Sequence, residues 1–139
     1  MKLTPYLGFD GNCREAFEFY AALTGAKIVA MTTYGETPGC EGMPAGERER
    51  ILHARLEIGE HALMATDSTS VHPYRKIQGA WVVLDVDTAQ EAERLFAAFA
   101  DGGVVEMPMQ ETFWAHRYGI VVDRFGVPWM VNCVKPCGP

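Results

Sequence analysis

The sequence predicts an α+β fold of two βαβββ modules in a pseudo-two-fold arrangement, forming a curved mixed sheet with a cleft. The main observation is an internal repeat. The stretch LGFDGNCREAFEFYAALTGAKIVAM at 7–31 recurs as VLDVDTAQEAERLFAAFADGGVVEM at 83–107. A unit that occurs only twice favours paired modules over an open solenoid, which normally needs about three or more. Because so few helices cannot cover both faces of the predicted strands, one sheet face is expected to curve around a cavity or pack on another chain.

The first module begins with a strand predicted over residues 3–9. Turn and N-cap residues, DGN at 10–12, then precede a helix expected at 13–23, with apolar side chains near one face. Gly25 follows the helix and is expected to end it as a C-cap residue.

The rest of the first module is predicted as three strands and one long loop. A strand at 27–34 leads into 35–50, which is too rich in Gly, Pro and charge for regular structure. Because mobile loops often cover pockets, 35–46 is a lid candidate. Apolar and polar residues alternate at 51–58, and a Gly-Glu turn connects this strand to a second at 61–66, which predicts a hairpin.

A polar stretch, DSTSVHPYRKI at 67–77, is expected to separate the modules. We therefore predict a single domain made of two repeats, about 1–68 and 78–135, joined by a linker at 69–77. The second repeat is predicted as a strand at 81–86, a helix at 88–100 stopped by Gly102 and Gly103, a strand at 104–107, and a hairpin of strands at 118–123 and 129–133.

Composition limits the classes of function. The 139 residues are 48% hydrophobic, enough for a core, and the formal net charge is −6 with scattered basic residues, which argues against a nucleic-acid partner. No apolar run approaches the roughly 20 residues of a membrane span, and the start of the chain lacks the apolar run of a secretory signal. We predict a cytoplasmic protein with reduced cysteines and no membrane partner.

Three segments resemble the PhnB-like branch of the vicinal oxygen chelate superfamily, which includes glyoxalase I, extradiol dioxygenases and bleomycin-binding proteins. They are PYLGFDGN at 5–12, EAFEFY at 15–20 and TFWAHRYGIVVDRFGVPW at 112–129. The narrowest match is D-x-F-G-x-x-W, here Asp123, Phe125, Gly126 and Trp129. The resemblance covers essentially the whole chain and implies a glyoxalase-like fold, a small-molecule ligand and a homodimer.

The superfamily's divalent metal is held by four side chains, one each from the first and last strands of the two modules. The aligned repeats put these places at Thr4 or Pro5, at Trp81, at Leu63 or Met64, and at Met130. None supplies the imidazole or carboxylate that such a cation requires. We therefore predict no metal at the usual site and no cofactor. Glyoxalase and dioxygenase chemistry depends on that metal and does not follow from the shared fold alone.

Two alternatives stay open. His53 and His61 lie on facing strands of one hairpin, His72 lies in the linker, and the Cys133 and Cys137 pair lies near the end of the chain, so a relocated metal site is conceivable. PhnB-like proteins are also often labelled as ubiquinone methyltransferases. The chain lacks the glycine-rich strand-to-helix turn of a typical methyl donor site, which argues against that activity.

The predicted cleft has an aromatic, sulfur and amide lining. Strand alternation sends Trp81, Val83 and Asp85 to the face opposite the helix. An apolar or aromatic ligand oriented by polar groups fits this lining, although the same side chains can simply fill a closed core. The predicted ligand-binding residues are Tyr6, Leu63, Trp81, Asp85, Trp114, Met130 and Asn132.

Asp85, His116 and Arg117 are the candidates for acid–base catalysis. His116 stands where an acidic residue is common in the PhnB-like segment, and Arg117 is a possible anion clamp. In the alternative interpretation, Trp114 and Tyr118 pack the junction between modules and Arg117 pairs with Asp123. The sequence thus favours a metal-free small-molecule binding protein, with an enzyme of the same fold, without metal or with relocated ligands, as the alternative.

Overall fold

A computed structural model describes residues 1–136 of the chain. The chain divides into two units, Met1–Arg75 and a second that begins at Lys76. Each unit contains one open four-stranded sheet. In both, the first strand pairs in parallel with the last and the remaining neighbours are antiparallel. The α+β class and the repeated βαβββ pattern are confirmed.

The bounds of the elements are close to those that the sequence predicts. The first unit comprises β1 (Tyr6–Phe9), α1 (Cys13–Thr24), β2 (Lys27–Thr33), α2 (Ala45–Arg48), β3 (Ile51–Ile58) and β4 (His61–Asp67). The second comprises β5 (Val82–Asp85), α3 (Ala89–Ala100), β6 (Val104–Gln110), β7 (Ala115–Val122) and β8 (Pro128–Val134). The strand orders are β1-β4-β3-β2 and β5-β8-β7-β6.

The predicted long loop contains one short helix, α2, which the prediction missed. Pro44 precedes it, and the backbone N–H groups of Glu47 and Arg48 both donate to the Pro44 carbonyl. A proline at the start of a helix has no N–H to leave unpaired, which is why such a turn forms in a Gly-rich stretch. Residues 3–5 lie outside β1, although the Pro5 carbonyl accepts the Met64 N–H.

One helix covers one face of each sheet. In the first unit the buried side of α1 includes Ala16, Phe17 and Tyr20. In the second, the Phe99 ring of α3 stacks on Trp129 of β8, with centroids 4.5 Å apart and planes 15° apart. Burial of these large aromatic surfaces supplies most of the driving force for packing each helix on its sheet.

Gly25 ends α1 as predicted, with a left-handed φ of 79° and its N–H donating to the Ala21 carbonyl. Asn12 is the N-cap residue of α1, within the predicted 10–12, but its side chain makes no capping hydrogen bond. The Asp67 side chain supplies the acceptor instead: one carboxylate oxygen accepts the N–H groups of Gly11 and Cys13, and the other accepts that of Ile51.

Asp67 begins the polar stretch 67–77, but the structure places it in a strand. It ends β4 and is only 2% exposed. A buried carboxylate is stabilised when several backbone donors satisfy it, so a residue that looks like linker instead joins two strands and a helix. Within residues 1–136, no helix has the length and hydropathy of a membrane-spanning segment.

Candidate functional site

Strand register defines an open face on the second sheet. Trp129, Val131 and Cys133 of β8 are buried on the α3 side. The residues between them, Met130 and Asn132, therefore point to the other side. Their register partners share that side. The open face of the second sheet thus includes Val83, Asp85, Tyr118, Ile120, Met130 and Asn132.

The polar centre of this face is one hydrogen-bonded pair. The Asn132 Nδ2 donates to Asp85 Oδ1 at 2.8 Å. Asn132 is only 9% exposed, and its Oδ1 is buried without a hydrogen-bond partner among residues 1–136. An acceptor left unpaired in this way costs roughly 1–3 kcal/mol. A ligand N–H or O–H group that reached it would remove that cost.

Aromatic and sulfur groups adjoin the polar pair. The Trp114 ring lies edge-on to Tyr118, with centroids 5.2 Å apart, and the Tyr118 hydroxyl donates to Met130 Sδ at 3.5 Å. A turn presents Trp114: the Thr112 N–H donates to the Ala115 carbonyl, and the Ala115 N–H donates to Thr112 Oγ1. The sequence did not single out Tyr118 as a ligand contact, but its alignment opposite Asn132 places it there.

Of the other predicted ligand contacts, Trp81 adjoins this face, and Tyr6 and Leu63 lie in the first unit. Trp81 immediately precedes β5 and is 43% exposed. In the first unit, Tyr6 aligns with Met64, and its hydroxyl lies 3.1 Å from His53 Nδ1. Partial burial, together with Tyr34, raises the pKa of Tyr6.

Leu63 is on the other side of the first sheet. It aligns with Leu56, which is buried on the α1 side. Successive side chains of a strand point to opposite faces, so Leu63 does not share a surface with Met64 or Tyr6.

The three catalytic candidates do not converge. Arg117 aligns with the buried Cys133, on the α3 side, and its Nη2 lies 2.5 Å from Glu93 Oε1 in an ion pair. A register irregularity between Ala115 and Arg117 contains the exposed His116. Among the three candidates, only Asp85 belongs to the open face.

The predicted pairing of Arg117 with Asp123 is wrong. The Asp123 carboxylate accepts the backbone N–H groups of Phe125 and Val127 and the indole N–H of Trp129. The Asp123 carboxylate therefore stabilises the closing hairpin, and Arg117 pairs with Glu93 of α3 instead.

The side chains at the superfamily's metal places do not fit a divalent cation. The expected first-strand places, Thr4 or Pro5 and Trp81, precede β1 and β5, and the residues that align with Met64 and Met130 are Tyr6 and Val83. These four aligned side chains offer one phenol and two thioethers, which are poor ligands for such a cation. Throughout the described range, 1–136, no group of three or more His, Cys, Asp or Glu side chains is arranged to hold a metal ion.

The proposed relocated ligands are also apart. His61 aligns with Ile58, five positions along β3 from His53, a separation of about 17 Å at the usual rise of a strand. Cys133 is buried on the α3 side. Cys137 lies outside the described residues.

Comparisons with known proteins agree with the fold. The sequence model of a family described as 3-demethylubiquinone-9 3-methyltransferase matches residues 1–132. Protein YjdN of Escherichia coli is 39% identical over 145 residues, covering 97% of each chain. The crystal structure of protein PA1353 from Pseudomonas aeruginosa is 48% identical, with a TM-score of 0.89, and the match covers 96% of this chain and 98% of that one.

More distant structures show the fold alone. A putative 3-demethylubiquinone-9 3-methyltransferase, PhnB protein, from Bacillus cereus is 24% identical with a TM-score of 0.81, covering 96% of this chain and 100% of that one. A glyoxalase/bleomycin resistance protein/dioxygenase family enzyme from Burkholderia phytofirmans is 14% identical with a TM-score of 0.66, covering 95% and 97%.

Proposed function

The chain belongs to the PhnB-like family described as 3-demethylubiquinone-9 3-methyltransferases, and from that premise we propose that it binds an apolar or aromatic small molecule as a homodimer. The binding surface in this proposal is the open face of the second sheet, with Trp81 and Trp114 beside it. The observation that carries it is the unpartnered Asn132 Oδ1, within the described residues, on a face otherwise rich in aromatic and sulfur groups.

The ligand chemistry follows from these side chains. Trp114 and Tyr118 present ring surface to a flat or apolar body. The Asn132 carbonyl accepts one donor from the ligand, while its amide is held by Asp85. Ligand sites are commonly apolar with a few fixed polar groups, and this face has that composition.

Methyl transfer is not part of the proposal. The strand-to-helix turns, at 10–12 and 86–88, contain one glycine between them. The glycine-rich turn that brings a helix N-terminus close to a nucleotide-type cofactor is therefore missing from both.

Dimerisation is supported by exposed apolar side chains. Phe113 is 90% exposed and Val104 is 65% exposed. Apolar surface of this kind favours association. Sedimentation velocity at micromolar concentration tests this part, and a monomer throughout would contradict it. A cytoplasmic location stays a prediction.

A thermal-shift screen against aromatic and antibiotic-like compounds tests ligand binding. A compound at about 100 times its Kd adds about 2.7 kcal/mol to the free energy of unfolding. We expect a hit to lose its shift in Trp114→Ala and to keep it in Val29→Ala, an exposed apolar residue of β2 in the first unit. Shifts that survive Trp114→Ala and Tyr118→Phe would contradict the proposed surface.

Asp85 favours a second candidate, acid–base catalysis on the bound molecule. The Asn132 amide donates to the Asp85 carboxylate on the same face. Asp85 is therefore adjacent to a ligand that binds the Asn132 carbonyl. In this case Asp85→Asn would preserve binding of the screened compound and abolish its turnover. Loss of binding alone would assign Asp85 a positioning role.

A further inference from the structure

A cavity with a volume of about 360 Å³ lies within the first unit. Ligand pockets in proteins span roughly 300–1,000 Å³, so its size suits a small molecule. The residues that define it are Gly8, Tyr34, Thr66, His72, Tyr74 and Arg75. The repeat predicts that Gly8 of the first strand faces the cleft, but the sequence did not single out Tyr34, Tyr74 or Arg75 as ligand contacts.

The floor of the cavity is open because Gly8 has no side chain. Gly8 lies in β1 and aligns with Thr66 of β4. A methyl group built on Gly8 would meet no atom within 4 Å. The absence of a side chain at Gly8 therefore leaves the space above β1 empty, and a larger side chain at this position would occupy the cavity.

The rim is a segment that folds back after β4. The Thr69 N–H donates to the His72 carbonyl at 2.9 Å, and the His72 N–H donates to Thr69 Oγ1 at 3.2 Å. Thr69 is buried, and Pro73 restricts the backbone that follows. These constraints hold His72, Tyr74 and Arg75 at the cavity.

Two tyrosine rings line the same cavity. The Tyr34 hydroxyl donates to the Asp67 carbonyl at 3.3 Å and lies 3.4 Å from Thr66 Oγ1, which fixes the ring. Tyr74 is half-buried. The Tyr34 ring, held in this way, and the Tyr74 ring offer faces for a planar aromatic group.

Arg75 is an exposed residue of the lining and contributes a positive charge. Within residues 1–136, no hydrogen bond or ion pair of its guanidinium is present. The nearest lining carboxylate belongs to Asp67, and its two oxygens accept the N–H groups of Gly11, Cys13 and Ile51. Asp67 is thus already satisfied, and Arg75 is left to pair with an anion from outside.

We propose that this cavity binds an aromatic carboxylate, with the ring between Tyr34 and Tyr74 and the carboxylate on Arg75. The two oxygens of a carboxylate match the fork geometry of the Arg75 guanidinium. The site belongs to the first unit and does not depend on the open face of the second sheet.

Isothermal titration with 2-naphthoate tests the proposal, with the neutral 2-naphthamide as the matched ligand. Gly8→Val fills the cavity at a strand position without positive φ, where valine is favoured, so the fold is preserved and circular dichroism verifies it. We expect it to weaken naphthoate binding about tenfold or more, because a packed cavity has no room for the ring.

The charge has its own matched pair of variants. Arg75→Gln is expected to weaken naphthoate binding about tenfold and to leave naphthamide unchanged, as for loss of a hydrogen bond to a charged group. Lys76→Gln removes the same charge from the neighbouring residue and should change neither. The proposal would be overturned by any of three results: equal affinity for the two ligands, no binding of naphthoate, or naphthoate binding that survives Gly8→Val. If Trp114→Ala abolished naphthoate binding instead, the ligand would be bound at the second sheet, and the proposal would also be overturned.

Discussion

The indole N–H of Trp129 donates to the carboxylate of Asp123 at 2.8 Å. Asp123 is 4% exposed and also accepts the N–H groups of Phe125 and Val127, each at 2.9 Å. The Trp129 ring in turn stacks on Phe99 of α3. The D-x-F-G-x-x-W pattern is therefore a structural device that closes a hairpin and ties it to the helix.

Asp123→Asn should destabilise the fold by about 2–3 kcal/mol, because an amide cannot accept from all three donors and one N–H would face another donor. Urea denaturation measures the loss. Asp101→Asn, at an exposed acid after α3, is the control and should change stability by less than about 0.5 kcal/mol. Equal stability of the two variants would refute this account of the motif.

Asp67→Ala should cost about 2–4 kcal/mol, since it leaves the backbone donors of Gly11, Cys13 and Ile51 without their acceptor. The measurement is again the free energy of unfolding in urea. Asp87→Ala, at an exposed position before α3, provides the comparison. If Asp67 were part of a solvated linker, the two substitutions would have the same small effect.

Gly103→Ala should destabilise strongly, by about 3 kcal/mol or more, because of a backbone clash. A methyl group there would lie 2.3 Å from the Val122 carbonyl oxygen and 2.6 Å from that of Phe99. Gly46→Ala, in α2, meets nothing within 4 Å and should be neutral or slightly stabilising. Thermal unfolding of both variants decides the matter, and a normal melting temperature for Gly103→Ala would contradict the predicted close approach.

Cys13 should resist alkylation in the folded protein, whereas Cys40 should react. Cys13 is fully buried, and burial, with Asp67 nearby, raises the pKa of its thiol, so the reactive thiolate is rare. Cys40 is partly exposed. Iodoacetamide labelling followed by peptide mapping measures both sites. Similar labelling rates in the native state would argue against the buried environment of Cys13.

The same thiol predicts a loss of stability at high pH. Because the pKa of Cys13 is raised in the folded state, the folded protein holds the proton that the unfolded chain releases above the ordinary value of 9.0. The protonated Cys13 thiol makes its full contribution to the free energy of unfolding below that pH. Above it, this contribution falls by up to about 1.4 kcal/mol for each pH unit. Urea midpoints at pH 7 and pH 10 should therefore differ more for the wild type than for Cys13→Ala. A parallel decline in both proteins would exclude this cause.

The order and type of the elements were predictable from the sequence, because periodicity, caps and turns are local signals. The 7–31 repeat predicted the second βαβββ module, and Gly25 predicted the end of α1. The alternation of Val83 and Asp85 likewise placed them on the face away from α3.

Local signals could not predict which groups meet. One register irregularity beside His116 reverses the alternation that follows it, which places Arg117 on the helix side with Glu93. The same strand then aligns Tyr118 with Asn132.

The sequence by itself determined that this chain is a duplicated α+β protein whose metal places are filled by poor ligands. The tertiary structure decided which polar groups are satisfied within the fold, as Asp67 and Asp123 are, and which remain available, as Asn132 Oδ1 and Arg75 are, within the described residues. The physical reason is that a hydrogen bond or ion pair depends on distances between residues far apart in the chain. Those distances are set by strand register and packing, which no single segment encodes.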